Sequence, residues 1–347
     1  MKGEIKMKMW YESDINKNSN SVISTRVRLA RNLSDIPFPN FMSLEQKNDV
    51  ISKVEKVLLK ASFIKNTKLN KIDMQKLNDV EANALVERRL ISPAFAKNRD
   101  GKALFASEDE KISVMVNEED HIRIQVFSQG SDLPLCLKIA NEVDNLLEKN
   151  LSYAFDNNLG YLTQCPTNLG TGLRASVMLH LPMLQQEGLI ENLSGTISKL
   201  GMTVRGSMGE GSNVRGALYQ ISNQVTLGIS EQSAIDNLMS IVNQVIKQEE
   251  SLRQSAYKSD AIGLEDKVYR AYGLLLNARL ISTDELLKLV SLLKLGVSLG
   301  ILKIEDSKLN KLIFESGAYN LNLKLKDNSS INRDKLRAEL TRQTVGA

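Results

Sequence analysis

KISVMVNEEDHIRIQVF, residues 111–127, decides how this chain folds. Ile112, Val114 and Val116 alternate with Ser113 and Met115, and beyond Glu118-Glu119-Asp120 the pattern resumes with Ile122, Ile124 and Val126. Side chains on a strand point to opposite faces in turn, so two runs of period two around a short polar break predict a hairpin. One face is apolar, and the other places Glu119, His121 and Arg123 together.

Working outward, RASVMLHL (174–181) also alternates and is closed by Pro182. TVRG (203–206) reads as a short strand feeding a glycine-rich loop, and LYQISNQVTLG (218–228) alternates again. Between them, MLQQEGLIENLSGTISKLG (183–201) reads as one helix ending at Gly201. SLEQKNDVISKVEKVLLKAS (43–62) has helical spacing behind an N-cap at Ser43, and Ser230 opens a long helix to about Ser255. Hairpins followed by helices, without a βαβ repeat, give an α+β class: an antiparallel sheet flanked by helices. Beyond this the pattern is helical, with a cap at Thr283 and a start at Ser329/Ser330. Two domains are expected, 1–255 and 256–347.

Composition is that of a water-soluble chain, with 42% hydrophobic and 25% charged residues and a net charge of +4 spread among acids. That balance suggests neither direct nucleic-acid binding nor a membrane partner. The first residues, MKGEIKMKMWYESD, lack the apolar run of a signal peptide. Cys136 and Cys165 cannot make a disulfide framework, and with His121 and His180 they form no zinc pattern, so a cytoplasmic location is expected. Cys136 sits in an apolar-periodic stretch and reads as a core thiol.

ISTRVRLARN (23–32) turns Arg26 and Arg28 to one face of a strand. Two guanidiniums one pleat apart repel each other unless a polyanion lies across them. Alone, the pair reads as a solvated face. With Arg123, with Arg174 opening a strand and with Arg205 ending one before a loop that carries Glu210, it suggests a triphosphate site built from guanidinium forks. There is no G-x-x-x-x-G-K-[ST] loop. Gly170-Thr-Gly172-Leu-Arg-Ala175 fits a dinucleotide pattern, but a strand follows where that pattern needs a helix. No nucleophile elbow is present.

STRVRLARN, NEEDHIRIQ, CPTNLGTGLRASV and the VRG…GEG loop together resemble the phosphagen (guanidino) kinases over about residues 20–255. The resemblance implies that ATP's phosphates lie among Arg26, Arg28, Arg123, Arg174 and Arg205. The neighbouring motif residues Ser24, Thr25, Val27, Ala175, Ser176, Val177, Met178, Gly206, Ser207, Met208, Gly209 and Glu210 are implied as nucleotide contacts. Glu119 and Glu210 are implied to grip the substrate guanidinium beside Cys165, with Mg²⁺ as cofactor and no protein side chain assigned to it. Such chemistry suits these types: a carboxylate pair orients a guanidinium and accepts its proton, while the arginines offset charge on the transferring group. An adjacent cation would favour a thiolate at Cys165. In ERRLISP (87–93), where related sequences carry a nucleotide-contacting histidine, this chain has Arg89.

GTGLRASVMLHLPML, GEGSNVRGALYQISNQVTLG and the helical C-terminal part look like the bacterial protein arginine kinases. Small-molecule guanidino kinases carry a helical domain before the first arginine motif, whereas 23 residues precede Ser24 here. In that subfamily an R-D-x-x-R-A motif binds phosphoarginine, and Arg333, Asp334, Arg337 and Ala338 match it. On one helix, Arg333 and Arg337 should converge on one phosphate. The resemblance further implies allosteric control, a role in the stress response, a homodimer, a zinc-finger-type activator, a heat-shock repressor as substrate and a Clp unfoldase–protease that degrades the marked proteins. The alternatives are a kinase for free arginine or another small guanidino compound, and a non-catalytic phosphoarginine-binding adaptor.

Overall fold

The computed structural model describes residues 8–12, 20–60, 67–206, 214–325, 327 and 329–346. Its strands are β1 (Val22–Arg31), β2 (Leu69–Asp73), β3 (Ala103–Ser107), β4 (Ile112–Val116), β5 (Ile122–Gln129), β6 (Phe155–Asp156), β7 (Gly160–Tyr161), β8 (Leu173–His180), β9 (Met202–Gly206) and β10 (Leu218–Asn223). Eight of them form one antiparallel sheet in the order β2-β3-β4-β5-β1-β8-β10-β9, while β6 and β7 form a separate small hairpin. The expected hairpin is β4–β5, with Ile112 opposite Val126 and Val116 opposite Ile122.

One face of the sheet carries Val27, Leu29, Val114, Ile124, Ala175, Val177 and Ile221 into the main core. Against it pack α1 (Leu44–Leu58), α4 (Leu133–Glu148), α6 (Ile190–Ser198) and the N-terminal half of α7 (Glu231–Ser259). Ser43 closes a capping box with Gln46 at the start of α1, as its sequence predicts. Among the described residues the opposite face is covered only in part. There α2 (Asp79–Glu87) and α3 (Pro93–Lys97) help bury Leu85, Phe95, Leu104, Met115 and Phe127 with Trp10.

Two helix expectations change. Residues 183–201 are split into α5 (Pro182–Gln186) and α6, because Gly188 takes φ +67° and breaks the ladder between them. The helix opened by Ser230 runs on to Ser259, where Asp260 leaves helical geometry and its side chain caps the next helix at Gly263 N. β10 is also shorter than expected and stops at Asn223, whose side chain turns back to bond Leu173 O and Val225 O.

After Asp260 come α8 (Ala261–Asn277), α9 (Thr283–Ser298), α10 (Asp306–Glu315), α11 (Ala318–Leu325) and α12 (Ser330–Val345). They share their own apolar cluster around Val268, Leu286, Val290, Leu309 and Ala338. Ser282, one residue before the expected Thr283, caps α9, and Ser329 caps α12. Phe314 of α10 reaches back into the partly covered face of the sheet beside Trp10 and Tyr11. Among the described residues no helix is long and apolar enough to cross a membrane.

Candidate active site

The uncovered half of the sheet is cationic because of strand parity. A register slip between Val22 and Ser24 fixes which residues of β1 turn outward. From there Ser24, Arg26 and Arg28 share one face, while Thr25 and Val27 are fully buried on the other. Arg28 lies directly opposite Arg174 on β8 and Gln125 on β5, and Arg123 stands two pairs further along, opposite Ala30. Like charges set opposite each other destabilise a sheet, so this face is built against the interest of folding alone.

The electrostatics of the four central arginines separate them. Burial, then the charges of Arg89 and Arg123, push Arg26 down to about 9. Burial, then Arg26, Arg123 and Arg174, hold Arg28 well below the ordinary guanidinium range, and its Nε is buried without a hydrogen-bond partner. Arg174 is also lowered, chiefly by burial, with Arg205 adding to the effect. Arg123 behaves oppositely: burial opposes its charge, but an ion pair with Glu118 raises it. A guanidinium keeps its proton in proteins, so the stress on Arg26 and Arg28 is relieved by an anion. A polyphosphate fits that donor set.

Arg174 is held as a rigid fork. Its Nε donates to Asn168 Oδ1 at 3.1 Å, Nη1 to Asn223 O at 2.8 Å, and Nη2 to Thr167 O at 2.9 Å. Arg205, the last residue but one of β9, lies opposite Gln220, whose Oε1 accepts from Arg26 Nη2 at 3.4 Å. Ser24, Arg26, Ser176, Met178 and Gln220 line a small cavity with Arg89 and Phe127. Thr25, Val27, Ala175 and Val177, expected from the motif as nucleotide contacts, instead send their side chains into the core on the other face. The Thr25 hydroxyl lies 3.7 Å from Cys136 Sγ, and burial pushes that core thiol up to about 12. Gly206 closes β9, whereas Ser207, Met208, Gly209 and Glu210 lie outside the described residues.

The three acids of the β4–β5 turn have three fates. Glu118 pairs with Arg123 and accepts from Ser92, and these outweigh burial to lower it. Asp120 accepts from Asn32 Nδ2 at 2.6 Å and Gln164 N at 2.8 Å, though burial still raises it. Glu119 is raised by burial and then by Asp120, and its carboxyl hydrogen-bonds Cys165. A raised carboxylate at the edge of a cationic cluster is a proton acceptor. Cys165 Sγ also lies 3.1 Å from Thr167 Oγ1.

His121, expected on the Glu119–Arg123 face, is instead fully buried. Its Nδ1 accepts from Leu33 N at 3.0 Å and its Nε2 donates to Pro37 O at 2.8 Å, while burial lowers its basicity. It fixes the end of β1 and takes no part in the cluster. The decoy glycines have geometric duties: Gly170, at φ +105°, lies so close to Thr226 that a Cβ would sit 2.3 Å from its carbonyl oxygen.

Arg89 ends α2 in the left-handed region, at φ +67°, which turns its guanidinium toward the Arg26 cavity and within 5.6 Å of the Phe314 ring centre. The same turn grips the C-terminal helices. Glu87 accepts from Tyr319 N and Asn320 N at the start of α11, and Arg88 Nη1 donates to Asn320 Oδ1 at 3.0 Å. On α12, Arg337 is 2% exposed. It donates to Ser316 O at 2.9 Å and Ile281 O at 2.7 Å and pairs with Asp334. Arg333 stays part-exposed and reaches Asn322 Oδ1 at 3.3 Å. The expected convergence of two open guanidiniums is therefore replaced by one buried anchor, Arg337, beneath Arg333 and Asp334. Ala338 is buried in the helical core.

This arginine face coincides with a matched family model. Residues 49–252 match the ATP:guanido phosphotransferase, C-terminal catalytic domain. The chain belongs to this family. It is an ATP-dependent kinase acting on a guanidino group. Residues 261–347 match the protein-arginine kinase McsB C-terminal domain. The protein-arginine kinase of Caldanaerobacter subterraneus subsp. tengcongensis is 44% identical over 90% of each chain. That of Halothermothrix orenii is 45% identical over 92% of this chain and 91% of its own. Among solved structures, lombricine kinase shares the fold with a TM-score of 0.59 at 24% identity, over 68% of each chain. The duplicated taurocyamine kinase of Schistosoma mansoni has a TM-score of 0.61 at 26% identity, over 75% of this chain and 39% of its own.

Proposed function

We propose that this guanidino kinase transfers the γ-phosphoryl group of ATP to arginine side chains of proteins. Two relatives of that name, each matched over about nine tenths of both chains, support the substrate class. The observation that carries the residue assignment is the contrast on one sheet face: unneutralised Arg26 and Arg28 beside a raised Glu119 at Cys165. Arg26, Arg28, Arg123, Arg174 and Arg205 hold the phosphates, and Ser24, Ser176, Met178 and Arg89 line the nucleotide side. Glu119 orients the target guanidinium and accepts its proton, with Glu210 as the second carboxylate and Cys165 alongside. Mg²⁺, when bound with the nucleotide, would offset charge on the transferring phosphoryl group. Among the described residues no group of three or more Asp, Glu, His or Cys side chains could hold a metal alone.

The division into a catalytic part, 1–255, and a regulatory helical part, 256–347, belongs to the same proposal; α7 runs across that boundary to Ser259. Phosphoarginine binds at Arg333 and Asp334 over Arg337. Arg337 holds Ser316 O, and Ser316 lies next to the Gly317–Asn320 segment that Glu87 grips just before Arg89. That chain of contacts supports coupling between the two sites. A homodimer, a zinc-finger-type activator, a heat-shock repressor substrate, a Clp protease downstream and a cytoplasmic location complete the proposal. The test is the product: incubation with labelled ATP and an unfolded protein should give an acid-labile label on arginine. An acid-stable label would refute the assignment.

A further inference from the structure

A second depression, of about 430 Å³, lies between the β6–β7 hairpin and the turn that leads into α7. Its walls expose apolar side chains: Phe155 is 56%, Leu159 43% and Leu227 46% accessible. Single exposed apolar residues need no explanation, but a contiguous set around a concavity marks a binding surface. The groove is firmly built. Tyr161 packs edge-on against Phe155 at 5.2 Å, and the buried Arg31 guanidinium lies 3.5 Å from the centre of the Tyr161 ring.

The groove and the arginine cluster share one strap, residues 165–171. Cys165 at one end touches Glu119, and Gly170 and Thr171 at the other end line the groove. Thr226 Oγ1, inside the groove, donates to Leu169 O at 2.7 Å and Thr167 O at 3.1 Å, and Thr167 O is also held by Arg174 Nη2. Gly170 is five positions beyond Cys165, so the two places are at most about 17 Å apart along the strap.

Among the described residues no lysine or arginine lines the groove, whereas Glu231 does. Asp144 takes the Arg31 guanidinium at 2.7 Å and leaves Glu231 a longer pairing of 3.4 Å. The groove is thus apolar with a negative end, complementary to a basic, apolar segment.

We infer that this groove binds the stretch of a substrate polypeptide beside its target arginine, and that it selects an apolar side chain within about five residues of that arginine. This rests on the reading that Glu119 and Cys165 hold the target guanidinium. Unfolded chains expose such apolar side chains and folded ones bury them, so the groove would favour unfolded substrates.

The test compares two peptides with one arginine each, one flanked by leucine and one by serine, on the full chain and on the Phe155→Ser/Leu159→Ser variant. These side chains are exposed, so the variant should fold; Leu227→Asp is an independent second variant. Wild type should favour the leucine peptide about tenfold in kcat/KM. Both variants should lose that preference while labelling the serine peptide at the wild-type rate. Retained preference, or an equal loss on both peptides, overturns the inference. So does a variant that loses an oligomeric state in sedimentation, which would assign the patch to a second copy of the chain. A wild type that labels neither peptide on arginine strikes the catalytic reading itself and takes the groove with it.

Discussion

Two arginines three residues apart on β1 show how one strand serves two purposes. Arg31, 1% exposed, is matched from every side. Asp144 pairs with its Nε and Nη2, Ala30 O and Thr171 O accept from Nη1 at 2.9 Å, and Tyr161 lies across its plane. Burial opposes its charge, yet Asp144 raises it above the ordinary range. Arg28, on the other face, meets Arg26, Arg123 and Arg174, Glu118 offsets them only in part, and its Nε has no partner among the described residues. Where the chain supplies the counter-charge, arginine is architecture. Where it withholds the counter-charge, the ligand must supply it.

The sharpest way to break the comparison is to remove each arginine. Arg28→Ala should lower kcat/KM on the order of 10³-fold, the scale of losing a guanidinium aimed at a transferring phosphoryl group, with an unchanged or higher melting temperature. Arg31→Ala should do the reverse, costing about 3–5 kcal/mol of stability because Asp144 is left buried without its partner. Denaturant titration of both variants beside kinase rates checks the pair. Stability lost in Arg28→Ala and kept in Arg31→Ala would dissolve the distinction.

A smaller effect sharpens it in the helical part. Arg337 resembles Arg31, since its donors go to Ser316 O and Ile281 O. Arg337→Ala should cost about 1–3 kcal/mol through unsatisfied carbonyls, in addition to weakening phosphoarginine binding and flattening cooperative activity without emptying the ATP site. Arg333→Ala should weaken phosphoarginine binding at unchanged melting temperature. Calorimetric titration with phosphoarginine separates the two. Equal binding by all three proteins would leave both residues as structural charges.

Much of this was legible in the sequence, for a physical reason. Period-two alternation fixes facing, so the hairpin at 111–127 and the shared face of Arg26 and Arg28 follow from spacing alone. What spacing cannot show is which neighbour arrives from elsewhere. Alternation and the motif single out Glu119, but what becomes of Glu118 and Asp120 shows only when Arg123 and Asn32 meet them. Arg333 and Arg337 share a helical face, yet the carbonyls of Ser316 and Ile281, from other elements, draw one inward. The motif's Thr25, Val27, Ala175 and Val177 belong to the site's strands but, by the same alternation, serve its core. The break at Gly188 was missed because one glycine inside an apolar-periodic run reads as tolerated.

The smallest expected effect concerns Glu119 and pH. Its carboxyl is raised in the folded chain, so folding favours the protonated form. That contribution is present at low pH and is lost as pH rises through the raised value. At neutral pH the ionised group weighs on stability, and Glu119→Gln should melt slightly higher than wild type. The gain should vanish in acid. Rates should also fall as pH drops through the same range, because the proton acceptor is then filled.

The most direct measurement uses that same variant. MgATP binding to Glu119→Gln is followed by calorimetry, and transfer to an unfolded, arginine-containing protein is followed by acid-labile label. The account predicts binding close to wild type, through the untouched arginines, and no transfer. Most of the wild-type transfer rate in Glu119→Gln would contradict it.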